Sequence, residues 1–137
     1  MRTKIINIGF AAAAMAAFFA VQPAMAHHSG EMFDMTKSIK LTGTIKDFQW
    51  TNPHTWTWID VPNDKGGTDT WGIEGMSPNF LGRRGWTKHT LQPGDKVTIT
   101  IAPLKNGQNG GTFLRAILAD GREMVMFERP PTQTSAR

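Results

Sequence analysis

The residues with the most chemistry in this chain are its four histidines, His27, His28, His54 and His89. The first two follow Ala24-Met25-Ala26 directly, and small residues at that spacing make an A-x-A cleavage site. Cleavage after Ala26 makes His27 the first residue, with a free α-amine beside its imidazole. An α-amine, with a reference pKa of ~7.7–8.0, deprotonates far more easily than a lysine, so it can act as a ligand near neutral pH. Amine and imidazole together chelate one metal ion, and a third nitrogen from another histidine, with His28, His54 and then His89 the candidates, completes a T-shaped copper site, a histidine brace. Imidazole suits copper, nickel and zinc. The opposing reading is a solvent-exposed His pair that binds metals adventitiously, with His54 capping a turn or packing beside Trp56.

Thioethers add a softer possibility. Met32, Met35 and Met76 can donate sulfur, which favours Cu(I), although a methionine in a small core is as readily a gap-filler. Met124 and Met126 share a parity on one strand and are read as packing residues. Copper is therefore the cofactor that this set of donors suggests.

Five tryptophans in a chain without tyrosine form the second group. Trp56 and Trp58 have the same parity on one strand and should share a face. Joined by Trp50 across the intervening turn, they would form an aromatic platform for sugars or peptides; the alternative is that they fill the core, the role read for Trp71 and Trp86. Arg83 and Arg84, with Lys88, make a basic cluster that either contacts an anionic lipid, glycan or protein partner or is simply a solvated face. No catalytic constellation emerges. Glu74 has no placed partner with which to act as a general acid or base, and no phosphate-binding loop or Ser/His/Asp spacing is present. A binding module is expected rather than an enzyme.

The elements that must position these side chains follow from periodicity. A strand over Ser38–Trp50 has Ile39, Leu41 and Ile45 on one parity, with Gly43 suited to a bend. After Asp47 the apolar parity switches to Phe48 and Trp50, which requires an irregularity near Asp47. Thr51-Asn52-Pro53 is a turn, followed by a strand over His54–Val61, a hairpin loop over Pro62–Thr68 and a third strand over Asp69–Gly75. Ser77-Pro78 starts a short helix that Gly85 ends. Lys96–Ala102 alternates cleanly as a strand, Asn106–Gly111 reads as a loop, Thr112–Ala119 as a strand and Arg122–Phe127 as an edge strand.

The predicted fold is all-β: a small OB-like barrel of five or six strands, antiparallel, with one short helix between the third and fourth. A small β-sandwich is the runner-up.

The 137 residues suffice for one such domain. Residues 1–26 read as a signal peptide, with basic Arg2 and Lys4 before an apolar run over Ile5–Val21 that is close to the length of a membrane span. Cleavage leaves no membrane anchor and predicts a periplasmic protein. Residues 27–37 would be an irregular segment, 38–127 the β domain and 128–137 a disordered tail. The formal net charge of +4 overstates the working protein's basicity, because loss of Arg2 and Lys4 leaves 13 basic side chains against the same 11 acidic ones. The absence of cysteine excludes disulfides, thiolate metal sites and a lipid-anchoring Cys. Export also argues against nucleic acid as a partner; a metal ion, a small ligand or a periplasmic protein is expected instead.

Four stretches occur in one order: Ala26-His27-His28-Ser29, Trp50-Thr51-Asn52-Pro53-His54, Ser77-Pro78-Asn79 with Arg83-Arg84-Gly85-Trp86, and Leu91-Gln92-Pro93-Gly94-Asp95. Together they resemble a family of small exported bacterial proteins of unknown function. That resemblance covers about Ala26 to Met124. It implies a periplasmic, non-lipidated, compact β domain and transfers no activity. In fold order and composition the chain also resembles small periplasmic copper(I) carriers of OB-like fold, which use His and Met ligands beside a Trp.

Overall fold

A computed structural model describes residues 31–128. The expected leader, His27 and His28, and residues 129–137 of the expected tail lie outside the described residues. The elements are β1 (Ile39–Gln49), β2 (Trp56–Pro62), β3 (Thr68–Glu74), α1 (Pro78–Gly82), β4 (Lys96–Pro103), β5 (Gly110–Ile117) and β6 (Glu123–Val125).

β1 carries the architecture because it belongs to two ladders. Ile39 to Thr44 pair with β4, and Thr44 to Gln49 pair with β2, both antiparallel. At the changeover β2 comes so close that a side chain at Gly43 would collide with the Asp60 carbonyl. The β1–β2 register then shifts between Ile45 and Asp47. One extra residue turns the following side chains to the other face, so Leu41 and Ile45 are buried before the bulge and Phe48 and Trp50 pack on the core after it. The parity change read from the sequence is therefore a β-bulge.

β2 and β3 form the expected hairpin, and β4 and β5 pair antiparallel. β3 pairs with β5 in parallel, through Gly72 with Gly110 and Ile73 with Gly111, and this closes the barrel. β6 lies outside the closed ring, on β5. The fold is thus an OB-like barrel of five strands with a sixth at its edge and a short helix between β3 and β4.

Two expectations are corrected here. The barrel is mixed rather than wholly antiparallel, and Gly110 and Gly111 are strand residues rather than loop. A Cβ on Gly110 would meet the Gly72 carbonyl at 2.9 Å, and one on Gly111 would meet Ile101 Cδ1 at 2.7 Å and the Ala102 carbonyl closer still. Glycine is needed because neighbouring strands approach closely, β3 at Gly110 and β4 at Gly111.

α1 starts as its sequence predicts. The Ser77 hydroxyl accepts from the Phe80 amide at 3.3 Å, and Pro78 occupies the first turn. The helix is shorter than the expected run to Arg84. Gly85, with φ +83°, reverses the chain, and the Trp86 amide donates to the Leu81 carbonyl at 3.1 Å. Leu81 and Trp86 are thereby delivered to the core, where Trp86 meets Phe113 edge-on with centroids 5.6 Å apart. Its indole N–H donates to the Val125 carbonyl at 3.1 Å, which satisfies the one polar atom of an otherwise apolar side chain. Met126 is fully buried and Met124 packs on the same core, as read.

Candidate functional site

β2 starts at Trp56, two residues later than the sequence suggested, and the two residues before it build a polar corner. Thr55 is fully buried. Its amide and its hydroxyl both donate to the Met76 carbonyl, at 3.1 and 2.9 Å, and its own carbonyl accepts from the Gly75 amide at 2.7 Å. On the other side of the turn, which contains a cis Asn52–Pro53 peptide bond, the Thr51 hydroxyl donates to the His54 carbonyl at 3.1 Å. The threonines on both sides of His54 fix its backbone against the end of β3. Gly75 has to be glycine in this corner: a Cβ would strike the Thr55 hydroxyl and lie 2.6 Å from Met126 Sδ.

The His54 ring is held as firmly as its backbone. Its Nδ1 lies 3.0 Å from the Gly75 carbonyl and 3.3 Å from Glu74 Oε1. A carbonyl can only accept, and an ionised carboxylate can only accept. Nδ1 therefore carries the proton, and in a neutral ring Nε2 presents its lone pair. This carboxylate–imidazole arrangement orients histidines that ligate metals. Glu74 was the acidic residue without a partner in the sequence; its side chain is 15% exposed and its partner is His54. The hairpin register was the available signal, because it sets Glu74 opposite Trp56, two residues from His54.

Beside this pair lies a cavity of about 150 Å³ whose lining includes His54, Glu74, Met35, Met76 and the rings of Phe33 and Phe127. Residues 33–37 run along it, fastened by the Asp34 amide on the Pro103 carbonyl (2.8 Å) and by a bridge of Phe33 to Leu104. Asp34 then ties the segment to itself. Its carboxylate accepts from the Thr36 amide at 3.1 Å and from the Thr36 hydroxyl, and Lys37 Nζ is 3.2 Å away. These contacts, the Thr36 hydroxyl foremost and Lys37 next, hold the Asp34 carboxyl below the ordinary aspartate range.

The structure thus brings His54 and Met76 together and adds Met35 and Glu74. Met32 is exposed and absent from the lining. Among the described residues no three of His, Asp and Glu converge; the donor set here is one imidazole, two thioethers and one carboxylate. A larger groove of about 400 Å³ runs over the outside of β1, β4 and β5, lined by Lys40, Thr98, Thr100 and Arg115 among others, with no His or Met.

The aromatic platform forms in reduced membership. Trp56 and Trp58 stand together on the outer side of β2, planes 19° apart and centroids at 6.2 Å. Trp50 is not with them. The bulge at Ile45–Asp47 gives it the inner parity, and it packs on Phe48 edge-on at 5.9 Å. Trp71 packs against the core, as expected. Arg83 and Arg84 are both exposed, and Arg84 lies over the Phe80 ring at 4.3 Å.

Residues 14–114 match the model of a family described as "Family of unknown function (DUF6152)". No curated protein matches the sequence. Among solved structures, the chain is similar to the mitochondrial single-stranded DNA binding protein Rim1 from S. cerevisiae, with 13% identity and a TM-score of 0.46 over 60% of this chain and 92% of that one. At that identity the likeness is one of fold. The expectation that nucleic acid is excluded as a partner is withdrawn, because export alone does not support the exclusion.

Proposed function

The chain belongs to the DUF6152 family of unknown function, and we propose that it is a binding module for a soft metal ion, Cu(I), held at the cavity beside His54. One observation carries this reading: the His54 ring has its Nδ1 committed to two acceptors, in a cavity that also carries the Met35 and Met76 thioethers. Imidazole with thioether donors suits Cu(I) better than harder ions. Each of the chain's groups has a task. His54 Nε2 and the two sulfurs would bind the ion. Glu74 and the Gly75 carbonyl keep the ring in the correct tautomer and orientation. Phe33 and Phe127 supply an apolar wall, and such a shell controls solvent access and the redox potential of a bound metal.

The leader read in residues 1–26 supports a periplasmic location for this activity. The processed His27, with His28, belongs to the same proposal as a separate Cu(II)-binding terminus, supported by the position of the A-x-A site. One added N-terminal residue would convert its α-amine into an amide and abolish that chelate.

The test is a competition titration of Cu(I) against a chromogenic chelator, using the full chain and the variants His54→Ala, Met35→Leu and Met76→Leu. Methionine to leucine nearly conserves volume, so the scaffold should survive. Single-site binding that weakens on the order of 10–100-fold or more in each variant is expected, by comparison with the loss that follows removal of a ligand's outer-shell partner. Equal affinity in all four proteins would reject the site.

A further inference from the structure

The outer face of β2 carries a second feature that the copper site does not use. The benzo ring of Trp58 lies down over Gly72, its cross-strand neighbour: a Cβ there would be 2.6, 3.0 and 3.2 Å from Cζ3, Cη2 and Cε3. Three such similar distances to adjacent ring atoms mean that the ring meets the sheet with its face. Trp56 is nearly parallel to it, and the 6.2 Å between centroids is close to the spacing of successive outward positions on one strand, about 6.6 Å. The two near-parallel indoles, both only half-buried, therefore form an aromatic floor on the outer side of β2. Glycine at position 72 is what lets this floor form.

The floor has a polar rim. On β1, Asp47 and Gln49 pair with Trp58 and Trp56, and the Gln49 amide donates to Asp47 Oδ2 at 3.0 Å. On β3, Glu74 pairs with Trp56. The side chains of this face comprise Asp47, Asp60 and Glu74 against two lysines, Lys46, which lies 4.0 Å from Asp60, and Lys96, farther off on β4. In a chain of net charge +4 this face is locally acidic. Its charge suits an uncharged ligand rich in hydroxyl donors better than one bearing phosphates.

We propose that the Trp56–Trp58 face binds a neutral saccharide, with two consecutive rings of an extended β-linked chain resting their C–H faces on the two indoles and donating hydroxyls to Asp47. A flat apolar floor with a few placed polar groups at its edge is the general form of a small-ligand site, and this face of an OB barrel is one on which oligosaccharides and oligonucleotides bind. The site is independent of copper: Trp58 and Gly72 do not line the His54 cavity.

The experiment is calorimetric titration of the full chain with two neutral hexasaccharides, cellohexaose and chitohexaose, repeated for Trp58→Ala, Trp56→Ala, Trp58→Phe and His54→Ala. A decathymidylate and a lysine-rich peptide serve as competing ligand classes. Circular dichroism checks that each variant is folded. The expected result is saturable binding of at least one hexasaccharide. It weakens about tenfold or more in each alanine variant, as for anchoring aromatics generally, less in Trp58→Phe, and not at all in His54→Ala. Absence of saccharide binding, binding indifferent to both tryptophans, or tighter binding of the oligonucleotide or the cationic peptide would each overturn the proposal. Loss of copper binding in His54→Ala with saccharide binding intact would separate this site from the copper site.

Discussion

Two corners of the barrel are written in nearly the same residues and do different things. One is Trp50-Thr51-Asn52-Pro53-His54, between β1 and β2; the other is Trp86-Thr87-Lys88-His89, between α1 and β4. In the second, the tryptophan is the buried element, 2% exposed and hydrogen-bonded through its indole, while His89 is exposed. There the threonine serves the turn: the Thr87 amide donates to the Thr90 hydroxyl at 2.8 Å and the His89 amide to the Thr87 hydroxyl at 3.2 Å. In the first corner the tryptophan is only half-buried, and the histidine is what the corner holds, through Thr51, Thr55, Gly75 and Glu74. The difference teaches that a histidine becomes a candidate ligand when its backbone and one ring nitrogen are both spoken for. Its sequence neighbours alone do not make it one.

The largest effect should come from breaking the structural corner. Trp86→Ala removes a fully packed side chain and leaves the Val125 carbonyl without its donor, and should cost about 3–5 kcal/mol in chemical denaturation. Trp50→Ala should cost clearly less. If Trp50 proved the costlier of the two, the roles assigned to the corners would be reversed.

Next comes Gly75→Ala, which forces a methyl group against Thr55 and Met126. Overpacking of this kind typically costs about 1–3 kcal/mol. Because the Gly75 carbonyl also holds His54, copper affinity should fall with stability. Gly82→Ala, where nothing lies within 4 Å, is the control and should leave affinity unchanged.

Glu74→Gln sharpens the comparison at smaller scale. It removes the carboxylate from His54 Nδ1 but leaves the Gly75 carbonyl, and should weaken Cu(I) binding by on the order of 10–100-fold with little change in the denaturation midpoint. His89→Ala should change neither quantity. Equal losses in Glu74→Gln and His89→Ala would mean that the ring partners of His54 are irrelevant.

The smallest effect is acid loosening of the segment over the cavity. A carboxyl held below its ordinary range stabilises the folded form above the usual aspartate pKa of ~3.9, and that contribution is lost as pH falls through the lower folded value. Amide exchange at Thr36 should therefore accelerate only below about pH 4. Asp34→Asn should show faster exchange already at neutral pH. Acceleration near pH 6 in the parent chain would point to a different group.

Much of this was legible in the sequence, and the omissions have physical reasons. Alternation gave the strands, and the switch of apolar parity after Asp47 located a bulge to within a residue. The same switch argued against grouping Trp50 with Trp56 and Trp58, since a residue of inner parity cannot share an outer face. Ser77-Pro78 marked the helix because capping is local. The β3–β5 seam was hidden: Gly110 is glycine because the β3 backbone comes close, and a pair of glycines reads as a loop when that strand is unseen. His54 and Glu74 are 20 positions apart, and their meeting depends on the hairpin register together with the Thr55 corner. Met35 was visible as a donor, but its position over the cavity rests on tertiary fastening of an irregular segment to Pro103 and Leu104.

The central claim is that one imidazole and two thioethers bind Cu(I). X-ray absorption of the chain loaded with one equivalent of Cu(I) tests it most directly. The account predicts sulfur scatterers together with a single imidazole in the copper shell, with sulfur diminished in Met76→Leu and imidazole lost in His54→Ala. A shell of nitrogen and oxygen alone, unchanged by either substitution, would contradict it.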